Sequence, residues 1–167
     1  MTGVERHLDE DEFIVSKTDL KGRITYVNRV FMRISDYMES ELLGKQHNII
    51  RHPDMPRGVF HFLWERIQAQ KEIFAYVLNL AKNGDHYWVL AHVTPSYDPA
   101  QNHVGYHSNR RKPPPDHIAA ITPLYEAMLG IERRAPDPRQ GLADSRAYLS
   151  DFLEQKGMSY DELVFAL

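Results

Sequence analysis

Ile73-Phe74-Ala75-Tyr76-Val77-Leu78-Asn79-Leu80-Ala81, then Asn83-Gly84, then Asp85 to Ser96 decide the fold class. Both flanking runs are rich in aromatic and β-branched residues, as strands are. The Asn-Gly pair between them is a strong two-residue hairpin signal. Upstream, Val59, Phe60, Leu63, Trp64 and Ile67 recur at spacings of three and four, which predicts an amphipathic helix over Asp54 to Gln70. Pro56 is tolerated in its first turn, where a missing N–H costs nothing. Further back, Phe13 to Thr18 and Arg23 to Asn28 flank the turn Asp19 to Gly22 and read as a second hairpin. Arg29 to Ser35 turns helical, and a short helix over Glu39 to Leu43 stops at Gly44. Downstream, a turn at Asp98 to Asn102 leads to a fifth strand over Val104 to Arg110. Pro113-Pro114-Pro115 ends it, because proline cannot donate to a ladder. Two strands, several helices and three strands argue for an α+β fold with an antiparallel sheet of five strands.

Beyond the prolines the chain reads as helical. Ile118, Ile121, Leu124, Tyr125 and Met128 form one apolar stripe, with Pro123 expected to kink it. Ala135 to Gly141 reads as a linker, Leu142 to Lys156 as a helix, and Ser159-Tyr160-Asp161-Glu162 as a capping box opening a last one. The expected division is a polar segment 1–12, a sheet domain 13–112, a flanking helix 113–134, and a linker with helical extension 135–167. The 167 residues carry a formal net charge of −3 and no cysteine. Interspersed charge argues against nucleic acid, and the lack of thiols removes disulfides, thiolate metal sites and cysteine nucleophiles. No apolar run approaches the roughly 20 residues of a membrane span. A soluble, cytoplasmic protein is therefore expected.

Asn48-Ile49-Ile50-Arg51-His52-Pro53-Asp54-Met55-Pro56, together with Lys82-Asn83-Gly84-Asp85-His86-Tyr87-Trp88-Val89, resembles the PAS domain of bacterial aerotaxis receptors. Thr18-Asp19-Leu20, Ile24 to Asn28 and Ile118 to Tyr125 extend the likeness in register from about Glu12 to Met128. The resemblance implies a PAS fold: a five-stranded antiparallel sheet with helices on one face, followed here by a C-terminal helical extension. It implies FAD as the cofactor. Carried over by position, the cofactor-binding residues are Asn28, Arg51, His52, Asp54, Phe60, Trp64, Asn79 and Tyr87. Ile73 stands where relatives often have tryptophan, and Leu80-Ala81 where the aerotaxis receptor has two arginines.

The same residues suit a dinucleotide chemically. Phe60 and Trp64 can supply aromatic surface, Arg51 a fork of donors for phosphate or carbonyl oxygen, and Asn79 an amide for a ring edge. Each has a plainer alternative. Asp54 can be the N-cap of the helix that it precedes, Arg51 can pair with Asp54, His52 can satisfy a local backbone group, and Phe60 and Trp64 can be core. Tyr87 and Asn28 rest on the resemblance alone. The nine histidines show no His-Glu-x-x-His arrangement of a zinc protease, although His47/His52 and His103/His107 have suggestive spacing. His61, on the long helix, keeps a haem alternative open. No nucleophile elbow, phosphate loop or paired-carboxylate motif appears, so a sensor is expected rather than an enzyme. Its partner would be a signalling protein in trans or a second copy of the chain. A cofactor-free dimerisation or docking module is the rival reading.

Overall fold

Ile73–Leu80 alternates its side chains across a sheet, yet both sets are apolar, so this strand must be covered twice. In the computed structural model, which describes residues 1–167, it is. The strands are β1 (Phe13–Asp19), β2 (Ile24–Val27), β3 (Ile73–Leu80), β4 (His86–Tyr97) and β5 (His103–Arg111). They form one antiparallel sheet in the order β2-β1-β5-β4-β3. The two expected hairpins and the expected five strands are all present.

Between β2 and β3 lie α1 (Arg29–Ser35), α2 (Glu39–Leu42), a 3-10 turn at His47–Ile50 and α3 (Arg57–Gln68). These cover the front of the sheet, the face onto which Ala75, Val77, Asn79, Val89, Ala91, Tyr106 and Arg110 project. On the back of β3 and β4, Phe74, Tyr76 and Trp88 meet the chain's own C-terminal helices. α4 (Pro115–Arg134) runs unbroken through Pro123, and α5 (Pro138–Lys156) and α6 (Tyr160–Ala166) follow it. Tyr125 of α4 stacks on Trp88 at 6.3 Å and donates from its hydroxyl to the Tyr76 carbonyl at 2.7 Å. The Tyr76 hydroxyl lies 2.7 Å from His117 Nδ1, and Phe165 of α6 meets Phe74 edge-on at 4.8 Å. The helices whose apolar stripes lacked a partner in the sequence thus bury them on this domain.

Two local expectations shift. The linker expected over Ala135 to Gly141 shrinks to three residues, because Asp137 caps α5 by accepting from the Arg139 and Gln140 N–H groups at 2.9 Å. Pro138 occupies the first turn, where its geometry suits a helix start. Gly141 thereby becomes helical. At the other end of the chain, the polar segment is not loose: Thr2, Val4 and Arg6 bond along Gly84 and His86, and Leu8 is buried. The Ser159–Glu162 capping box forms as expected.

The third change matters for the site. The long helix begins at Arg57, with Pro56 rather than Asp54 in the capping position and no side-chain cap of its own. Its first N–H groups, on Arg57 and Gly58, are instead accepted by the Glu132 carboxylate of α4, at 3.1 and 2.9 Å. Glu132 also pairs with Arg57, and its side chain is only 5% exposed. A carboxylate there answers both the orphan donors and the positive end of the helix dipole. α5 then lies against α3 so closely that a Cβ at Gly58 would sit 2.5 Å from Ser145 Oγ.

Glu132→Ala leaves two partly buried N–H groups unanswered and should lower the unfolding free energy by about 1–3 kcal/mol in urea titration. Asp54→Ala, which removes an exposed ion pair with Arg133 and a looser contact with His52, should cost less than about 1 kcal/mol. The reverse order of losses would mean that Asp54, not Glu132, holds the start of α3.

Candidate functional site

Small residues leave a gap between the sheet and α3. Ala91 on β4 and Ser108 on β5 project to the front where larger side chains would fill the space. The result is an open-mouthed cavity of ≈ 170 Å³, below the roughly 300–1,000 Å³ typical of small-molecule sites. Phe60, Leu63, Trp64 and Ile67 of α3 form one wall, and Val77, Val93 and Tyr106 much of the sheet side. Residues 46–51 close a third side. Trp64 meets Tyr106 edge to face at 5.7 Å and lies over the β1–β2 turn. A Cβ at Gly22 would come within 2.9 Å of the Trp64 ring, and Gly22 has φ +78. Glycine is required at that turn on both counts.

Four of the expected cofactor residues line this pocket: Arg51, Phe60, Trp64 and Asn79. The Arg51 guanidinium lies 3.7 Å from the Phe60 ring centroid, a cation–π contact. It does not pair with Asp54, and its buried Nε has no partner. The backbones of Arg51 and Asn79 form a single antiparallel bridge, which sets the two side chains on neighbouring parts of the wall. Asn79 is 3% exposed, and its amide nitrogen is also without a partner. Such orphans are rare in folded proteins and call for a reason.

The other four lie outside the wall. Asn28 caps α1: its side-chain oxygen accepts from Phe31 and Val15 N–H groups at 3.0 and 3.1 Å, and its amide donates to the Phe13 carbonyl. His52 is buried, and its Nδ1 accepts from the Asp54 N–H at 3.0 Å, the plainer role weighed above. Asp54 faces solvent, 47% exposed, and pairs with Arg133. Tyr87 is the cross-strand neighbour of Asn79, fully buried, with an unpartnered hydroxyl whose pKa burial pushes up. It stands beside Asn79 on the front face of the sheet. His61 sits on the outer side of α3, 46% exposed and beside Glu65, away from the pocket.

The sequence reading missed a polar group at the inner wall. Arg110 of β5 is 2% exposed and donates from Nη2 to Ser16 Oγ and to His47 Nε2, the latter at 3.3 Å. Ser16 Oγ in turn lies 3.0 Å from the same His47 nitrogen, so His47 serves as an acceptor. Burial and the adjoining Arg110 charge push the His47 imidazole down to about 3, which keeps it neutral. Arg110 also rests on the Phe31 ring at 4.7 Å. Period-two alternation through Tyr106, Ser108 and Arg110 was the available signal, since it places a charge on the inward face.

Comparison with known proteins agrees with this geometry. A family description of the PAS fold matches residues 24–109. The aerotaxis receptor of Escherichia coli strain K12 is 37% identical over 142 residues, 85% of this chain and 28% of the receptor. The nitrogen fixation regulatory protein of Klebsiella pneumoniae is 25% identical over 92 residues, covering 55% of this chain and 19% of that protein. The chain therefore spans well under a third of the length of these relatives. Among solved structures, a light-oxygen-voltage domain studied with a flavin analogue superimposes with a TM-score of 0.59 at 21% identity, covering 69% of this chain and 86% of that one. The light-state dimer of the fungal blue-light photoreceptor Vivid gives 0.55 at 19% identity, covering 65% and 83%. These structural likenesses concern the fold. No helix is long and apolar enough to cross a membrane.

A half-buried histidine held neutral in the fold makes stability fall on acidification. The unfolded chain takes up a proton near pH 6.5, whereas folded His47 does so only near 3. The stabilisation it carries is present above about 6.5 and is lost as pH falls from there toward 3. His47→Gln should flatten the slope of unfolding free energy against pH in that window by up to about 1.4 kcal/mol per pH unit. Equal slopes in the two proteins would show that His47 titrates normally.

Proposed function

The chain belongs to the PAS-fold family, and from that premise we propose that it is a redox sensor that binds FAD in the pocket between α3 and the sheet. The observation that carries this reading is the pairing of an aromatic, largely apolar cleft with unanswered donors on its wall, among them Arg51 Nε and Asn79 Nδ2. Sites for flat heteroaromatic ligands combine such walls with a few convergent polar groups. Arg51, Asn79, Phe60 and Trp64 would hold the flavin. His52, Asn28, Asp54 and Tyr87 support it indirectly, by shaping the segment before α3, the start of α1, the contact with α4 and the strand beside Asn79. The Arg-His-Pro-Asp-Met-Pro segment, tied to FAD by the aerotaxis resemblance, favours the dinucleotide over a mononucleotide.

Bound flavin supplies reversible electron transfer; the chain supplies position and a way out for the signal. Asn79 can present either its N–H or its oxygen, and the demand at a flavin edge changes with reduction. An adjustment of that amide bears on β3, whose back face meets α4 and α6 through Tyr76, Phe74 and Tyr125. The C-terminal helices are thus placed to carry the change to a cytoplasmic signalling partner or across a dimer. The role is sensing rather than turnover of a substrate.

The absorption spectrum of the purified chain, before and after incubation with FAD, tests this. Protein-bound flavin bands are expected, and their absence after reconstitution would leave the cofactor-free docking module as the better account; a Soret band would favour haem. Asn79→Ala and Arg51→Ala should each weaken FAD binding by about tenfold or more, equivalent to about 1.4 kcal/mol. Asp54→Asn, outside the wall, should change it much less.

A further inference from the structure

The pocket is lined by two arginines and no carboxylate. Arg51 stands beside Phe60 and near the rim of α3, where Glu132 contributes an opposing charge. Arg110 has no such relief. It is 2% exposed, its Nε and Nη1 have no hydrogen-bond partner, and its neighbours Ser16 and His47 are neutral. Burial lowers its pKa to about 10, which still leaves it charged at neutral pH. An uncompensated buried cation is costly to a fold. Hydrophobic residues of similar size would fill the inner wall more cheaply, so the charge calls for an occupant that answers it. A small inorganic anion would leave the aromatic walls around Trp64 and Tyr106 unfilled. A flat ligand able to carry negative charge on its ring satisfies both halves of the pocket.

We propose that Arg110 is the charge-selecting residue of this pocket, favouring the reduced flavin over the oxidised one and so raising the potential at which the sensor switches. This rests on the flavin reading above. When an external reductant delivers two electrons and solvent delivers one proton, the ring is left with one additional negative charge. Arg110 stabilises that charge inside a low-dielectric site, where a cation acts far more strongly than in water. The oxidised, neutral ring gains little from it. Arg51 and Asn79 govern whether the ligand binds; Arg110 governs which redox form binds better. By linkage, a residue that holds the reduced form more tightly raises the midpoint potential by the same free energy.

Three forms of the chain decide the matter: unaltered, Arg110→Met and Arg110→Lys, each reconstituted with FAD. Affinity for oxidised FAD is read by fluorescence quenching, and the midpoint potential by anaerobic dithionite titration with a reference dye. Arg110→Met should weaken binding of reduced FAD by a larger factor than binding of oxidised FAD. It should lose at least about tenfold of the preference for the reduced form, a fall of about 30 mV for a two-electron couple. Arg110→Lys should recover most of the lost potential. The ligand-free Arg110→Met chain should be as resistant to urea as the unaltered one, or more so, and should gain less resistance on reduction of bound FAD. Should that variant fail to fold, Arg110→Gln keeps a donor for Ser16 without the charge and carries the same comparison. An unchanged potential with FAD bound overturns the proposal and leaves the flavin reading intact. If the unaltered chain takes up no flavin, both fall, and the spectrum shows it before any potential is measured.

Discussion

Burial of β3 on both faces is the constraint on which the rest of this molecule depends. A strand whose two sets of side chains are both apolar is stable only between two layers. The front layer is α3, and it stands off far enough, over Ala91 and Ser108, to leave a pocket. The back layer is α4 with α6, held by Tyr125, Trp88 and the Tyr76 carbonyl. Because one strand serves both layers, Asn79 in front shares β3 with Tyr76 and Phe74, which make the contacts at the back. Pocket and back layer are therefore joined through one strand, although the residues that make them lie far apart in sequence.

The helices at the C-terminus are part of the PAS domain's own architecture. Glu132 reaches from α4 to cap α3, and Ser145 of α5 lies against Gly58 in the same helix. The helix that walls the pocket is thus fastened at its first turn by the element that also covers the back of the sheet. Arg133 adds an exposed tie to Asp54. Movement of α4 has a direct route to the start of α3 and to Arg51 just before it, independent of the route through β3.

Electrostatically the pocket is one-sided. Its charged groups are both cations, and the nearest titratable neighbour at the inner wall, His47, is held neutral. The N-terminal segment shows the opposite habit: Arg6 and Asp85 answer each other directly. Where the fold needs only to be held together, charges come in pairs. At the inner wall of the pocket a cation is left without one, at a position where the flavin reading supplies the missing charge.

The strands, the two hairpins, the order of the helices and the capping box at Ser159 were legible in the sequence. Each is governed by residues within a few positions of one another: Asn83-Gly84 for a turn, Ser159 with Glu162 for a cap, three-and-four spacing for α3. Phe60 and Trp64 were visible for the same reason, as one face of a helix, and Asn79 as a polar interruption of an apolar strand. The start of α3 was misplaced because Asp54 is a good local cap, while the group that does the capping is 75 residues away in sequence. Arg110 went unnoticed because His107-Ser108-Asn109-Arg110 is polar throughout, so the period-two signal from Tyr106 is faint there until the pairing of β5 with β1 and β4 fixes which residues face inward. The sequence by itself thus determined which elements form, since turn chemistry, caps and periodicity act over a few residues. Only the tertiary structure decided which side chains share the pocket and where the last three helices lie, because those depend on register and on contacts between segments that the chain brings together only when it folds.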